Sequence, residues 1–93
     1  MKYRMSDEKW IFPGQCRGAR AMLGWTREQL VKECGVSNAT LADFEAGKRT
    51  PYDRTLADIR RALEAAGIEF IPENGGGAGI RFRNRADGTR DEH

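Results

Sequence analysis

The sequence predicts a mainly α-helical domain, a bundle of four to five short helices followed by a C-terminal β-hairpin. Three observations predict it. Apolar residues recur at helical spacing between residues 13 and 66. A glycine (Gly24, Gly35, Gly47, Gly67) stands at the end of each helical run. Beyond Gly67 the apolar period changes from about 3.6 to about 2.

The chain opens with a mixed arm, residues 1–12, that docks through Trp10, Ile11 and Phe12. Pro13 suits a first helical position, where its missing N–H has no intrahelical partner to lose. Cys16, Ala19, Ala21, Met22 and Leu23 form the apolar stripe of that first helix, which Gly24 ends. Thr26-Arg27-Glu28-Gln29 reads as a capping box. It starts a short helix with Leu30, Val31 and Cys34 inward and Gly35 as its stop. Ser37 caps a third helix whose inward residues are Leu41 and Phe44. Lys48-Arg49-Thr50-Pro51 is a basic loop after Gly47. A longer helix runs from 52 or 53 to 66, with Leu56, Ile59, Leu63 and Ala66 on one face. Ile68 to Ile71 and Ile80 to Arg83 flank a glycine-rich turn and share a face made of Ile68, Phe70, Ile80 and Phe82. Glu69 lies on the opposite face, where Arg81 or Arg83 opposes it. The division is thus an arm (1–12), a helical domain (13–67), a hairpin (68–83) and a polar tail (84–93), the tail expected to be disordered.

Composition narrows the function. Ninety-three residues make one domain, and the 39% of hydrophobic residues build only a small core. A chain of this size buries about 60–65% of its unfolded surface, so dimerisation is an expected supplement. Sixteen Lys and Arg against fourteen Asp and Glu leave +2, so bulk charge does not announce a nucleic-acid partner and local distribution must. No apolar run approaches the roughly 18 residues of a membrane span. The first residues lack the apolar stretch of a signal peptide, so a cytoplasmic location is expected. Cys16 and Cys34, with a single terminal His93, are too few ligands for zinc and read as small buried hydrophobes. The Gly75 to Gly79 stretch lacks the context of a phosphate-binding loop. No nucleophile, base and acid can be assembled, so neither an enzyme nor a cofactor is expected. Arg60 and Arg61 read as solvated surface.

Two short capped helices separated only by Gly35-Val36-Ser37 carry the functional signal. A turn that short sets helices at roughly 90–120° rather than antiparallel. With Leu41 and Phe44 inward, Asn38, Ala39, Asp43 and part of Ala42 face outward. Small and short polar side chains on an exposed helix fit a major groove about 12 Å wide.

Residues from Cys16 to Leu63 resemble the Xre-type, lambda-repressor-like helix-turn-helix domain of small prokaryotic and phage regulators. The resemblance rests on Ala19-Arg20, Leu23-Gly24-Trp25-Thr26, Gln29-Leu30, Gly35-Val36-Ser37, Thr40-Leu41, Phe44-Glu45-Ala46-Gly47, Pro51 and Leu56. It implies that Asn38, Ala39 and Asp43 contact bases, with Asn38 on an adenine edge, Ala39 on a thymine methyl and Asp43 on a cytosine amino group. It implies backbone contacts from Thr26, Arg27, Ser37, Thr40, Lys48, Arg49 and Thr50. It also implies a structural ion pair between Arg20 and Glu45. Val31 stands where the family usually has alanine or glycine, which predicts a slightly widened crossing of the two helices.

The expected function is a transcriptional regulator that binds double-stranded DNA as a homodimer, either a repressor or a controller that also activates. Its operator would be an inverted repeat with half-sites about 34 Å apart. Leu63, Ile68, Phe70, Ile80 and Phe82 are the expected contributors to a dimer surface, because a two-stranded ribbon cannot cover its own apolar face; the equal alternative is that the ribbon folds back onto its own helices. The rival expectation is an antitoxin-like module that neutralises a partner enzyme and regulates its own operon. No small-molecule ligand is implied.

Overall fold

The computed structural model describes residues 11–73 and 75–84. Trp10, most of the expected arm and all but the first residue of the polar tail lie outside the described residues. Four helices come first: α1 (Pro13–Leu23), α2 (Arg27–Cys34), α3 (Asn38–Glu45) and α4 (Asp53–Ala65). Strands β1 (Ile68–Ile71) and β2 (Gly79–Phe82) then pair antiparallel, with Ile68 opposite Phe82, Glu69 opposite Arg81 and Phe70 opposite Ile80. Among the described residues, no helix is long and apolar enough to cross a membrane.

Local chemistry sets the ends of these elements. Pro13 is the first residue of α1, and the Gln15 side-chain oxygen accepts from the Phe12 amide at 2.7 Å. Thr26 Oγ1 accepts from the Gln29 amide at 3.2 Å, while Gln29 Oε1 accepts from the Thr26 amide at 2.7 Å. Both halves of the capping box therefore close. Gly24 and Gly35 end α1 and α2 in the left-handed region, at φ 71° and 74°, where a side chain would be strained.

The core is made of Cys16 and Ala19 from α1, Leu30 from α2, Leu41 and Phe44 from α3, Leu56, Ile59 and Leu63 from α4, with Ile11, Val36, Ile68 and Phe70. Several details differ from the sequence expectation. Ala21 is exposed, because the stripe of α1 narrows to Cys16 and Ala19 with Met22 and Leu23 half-buried. Ile11 enters the core while Phe12 stays 39% exposed, since the chain turns into α1 between them. Cys34 is half-buried rather than buried.

The hairpin brings the largest correction. Leu63, Ile68 and Phe70, expected on a dimer surface, are buried in the chain's own core. The ribbon gains the cover it needs by folding back: β1 packs on α4 and β2 on α1. Ile80 is partly buried against the same core, and only Phe82 of the five keeps a large exposed area, at 48%. Gln15 Nε2 donates to the Gly79 carbonyl at 3.0 Å, tying α1 to the start of β2. A Cβ on Gly18 would sit 2.9 Å from Ile80 Cδ1, so the absence of a side chain there allows the close approach. Arg60 is also corrected. Its guanidinium lies 5.0 Å from the centroid of Phe70 and bonds Glu64 at 2.8 Å, so it covers the hairpin's aromatic face instead of standing free in solvent.

Candidate nucleic-acid interface

The turn between α2 and α3 is built from its three residues. Gly35 reverses the chain in the left-handed region, Val36 is buried as a wedge, and Ser37 starts α3. Ser37 Oγ accepts from the Thr40 amide at 3.2 Å and donates to Thr40 Oγ1 at 3.0 Å. Leu41 and Phe44 then face the core, and α3 packs against α1 and α2. Helical geometry leaves the opposite edge outward. Asn38 and Ala39 are exposed there, whereas Ala42 and Asp43 are half-buried one turn further along.

The residues expected to meet the DNA backbone surround this edge. Thr26 and Ser37 are exposed at the starts of α2 and α3, with their hydroxyls engaged in the caps. Thr40 and Arg27 are half-buried. Lys48, Arg49 and Thr50 follow α3 on an exposed loop, anchored by the Lys48 amide donating to the Asp43 carbonyl at 2.8 Å. Two positive charges and a hydroxyl thus lie directly beyond the C-terminal end of α3, with no core role to occupy them.

Beneath the edge lies Glu45, the last residue of α3 and 3% exposed. The expected Arg20–Glu45 pair is present and bidentate, with Nε to Oε2 at 2.8 Å and Nη2 to Oε1 at 2.9 Å. Arg20 also donates to the Trp25 carbonyl at 3.1 Å, so one guanidinium joins α1, the following turn and α3. Three further groups converge on residue 45. Cys16 Sγ donates to Oε2 at 3.1 Å, Arg27 Nε reaches Oε1 at 3.5 Å, and Arg17 donates to the Glu45 carbonyl. Burial works to raise the Glu45 pKa, but hydrogen bonds from Arg20 and Cys16 and the Arg20 charge outweigh it, so it falls below the usual value of 4.5. Burial, reinforced by Glu45, pushes the Cys16 thiol far up and keeps it protonated as a donor.

Sequence reasoning missed Cys16, Arg17 and the second role of Arg27 in this cluster. The one available signal was the spacing of Cys16 and Arg20, four apart on one helix face; once Arg20 meets Glu45, Cys16 must lie beside it. Nothing local in the sequence carries Arg17 or Arg27 to residue 45.

A family model described as helix-turn-helix matches residues 17–69, more than half of the chain, and spans α2, the turn, α3 and α4. No curated protein is found to match the chain. The matched segment, the three-residue turn between α2 and α3 and the outward edge of α3 agree, and the chain belongs to the Xre-type, lambda-repressor-like family of DNA-binding helix-turn-helix regulators.

Proposed function

We propose that the chain is a sequence-specific transcription regulator that binds an inverted-repeat operator as a homodimer. One observation carries the reading: α3 presents Asn38 and Ala39 to solvent while Glu45, at its other end, is anchored to α1 and α2. A reader needs both properties, since base contacts discriminate only when the helix cannot adjust to the wrong sequence. In this reading Asn38, Ala39 and Asp43 touch base edges. Thr26, Arg27, Ser37, Thr40, Lys48, Arg49 and Thr50 hold phosphates and fix the register. The exposed Phe82 offers apolar surface to a second copy. Covering promoter elements would then repress transcription, and an upstream operator would allow activation by the same contacts.

The test is selection of bound duplexes from a random pool, followed by binding measurements on the winner. A two-fold symmetric sequence should be enriched. Asn38→Ala with Asp43→Ala should narrow the gap between the selected and unrelated duplexes. Arg49→Ala should weaken both alike and reduce the salt slope of log K by about 0.9 for each protomer bound, about 1.8 for the dimer. A pool that returns no enriched sequence would overturn the proposal.

A further inference from the structure

We infer that Glu45 has a second task beyond bracing α3: it presents Arg27 to the DNA backbone, so that a carboxylate buried beneath the reader positions the phosphate clamp beside it. The inference rests on the DNA-binding reading above.

Charge and geometry at the carboxylate separate the two arginines. Arg20 alone satisfies the pairing requirement, with short bonds to both oxygens and a side chain only 19% exposed. Cys16 takes a further position on Oε2. One negative charge then faces two guanidinium groups, and the second is not needed for neutrality. That second group is Arg27, held by Nε alone at 3.5 Å and 38% exposed. Its Nη1 and Nη2 take no hydrogen bond among the described residues.

A guanidinium that meets a carboxylate through Nε at 3.5 Å and donates from neither Nη among the described residues keeps a fork open for two phosphate oxygens. Its setting fits that use. Arg27 is the first residue of α2, at the positive end of the helix dipole, where a cation is unfavourable for the helix and an anion is welcome. Glu45 offsets the first effect in the free protein, and a phosphate would exploit the second. Lysine at this position carries the same charge, but its three donors radiate from one nitrogen and lack the planar fork whose Nε faces the carboxylate while both Nη atoms face a phosphate.

Two measurements on the full chain test the inference. The first follows arginine Nε–H groups of the wild-type protein by NMR. Arg27 Nε–H should be ordered like that of Arg20 and unlike that of Arg49, and should stay so when the selected duplex is added. The second compares wild type, Glu45→Gln, Arg27→Ala and the double variant on selected and unrelated duplexes over a salt series. Arg27→Ala should lower the salt slope by about 0.9 for each protomer bound, about 1.8 for the dimer. On the unrelated duplex Glu45→Gln should weaken binding about fivefold, and that loss should shrink below about twofold once Arg27 is alanine; on the selected duplex the loss from an unbraced α3 comes in addition and remains. An Arg27 Nε–H as mobile as that of Arg49 overturns the inference, as does a Glu45→Gln loss of full size on the unrelated duplex without Arg27. Should Glu45→Gln fail to fold, the wild-type NMR measurement decides. Wild type that binds no duplex removes the functional reading itself, whereas binding without coupling removes this inference alone.

Discussion

At the scale of single residues, Glu45 gathers the molecule's most consequential electrostatics, because it is the one charged side chain buried among the described residues. Its bonds reach α1 and α2, so removing the carboxylate strands Arg20 in a half-buried site without its partner. Glu45→Ala should therefore cost about 3 kcal/mol in urea denaturation, as breaking a buried pair does. Glu69→Ala should cost about 0.5 kcal/mol or less, since the Glu69–Arg81 pair on the hairpin is more than 40% exposed on both sides. The pH dependence has a definite sign. The folded-state pKa of Glu45 is depressed, so its contribution is complete above the ordinary value near 4.5 and disappears as pH falls through the lower folded value. Stability measured from pH 6 downward should thus fall in acid, and Glu45→Gln should flatten that limb; an equally steep limb in the variant would assign the acid sensitivity to other carboxylates.

Elements were legible where their causes are local. The caps at Thr26 and Ser37 and the helix stops at Gly24 and Gly35 each depend on a few neighbouring residues, and the structure forms them where the sequence placed them. Thr26→Ala should cost about 1 kcal/mol by thermal denaturation, because the Gln29 amide loses its acceptor. Contacts between elements were not legible in the same way. Gly18 carries no turn or cap signal, yet it is where β2 meets α1; Arg60 reads as one of two surface charges until Phe70 arrives beneath it from residues further along. The Arg20–Glu45 pair was available only through family resemblance; of its partners Cys16 had a signal, four residues before Arg20 on one helix face, while Arg17 and Arg27 had none, since proximity across helices has no short-range signature. Gly18 yields a graded test of the hairpin's seat. Alanine there meets only the end of the flexible Ile80 side chain, and its better helix propensity of about 1 kcal/mol offsets the shift, so Gly18→Ala should be nearly neutral. Gly18→Leu has no such escape. It should raise amide hydrogen exchange in Ile68–Ile71 and Gly79–Phe82 while exchange in α3 stays slow.

For the whole molecule, the hairpin's role decides how dimerisation must be tested. A chain cut after Gly67 loses Ile68 and Phe70 from its core, each worth roughly 2 kcal/mol of burial, and would unfold or loosen whatever its oligomeric state. The informative change is confined to the surface. Phe82 is 48% exposed at the end of β2, on the same face as its completely buried partner Ile68 but at the open rim of that face, so Phe82→Ser removes solvent-exposed apolar area and little from the core. Size sharpens the expectation. The described residues span 36 by 33 by 18 Å, comparable with the 34 Å or so of one turn of DNA, so two copies set side by side can place their α3 edges in successive major grooves on one face of the duplex. With the hairpin between them, Phe82→Ser should raise the dimer dissociation constant in sedimentation equilibrium by about tenfold and leave the melting temperature of the protomer nearly unchanged. On the operator it should turn one protected region with two-fold symmetry into half-site footprints that fill independently. An unchanged dissociation constant would move the interface elsewhere on the surface, while the outward edge of α3 would keep its assignment, because Asn38 and Ala39 are presented by contacts within one chain.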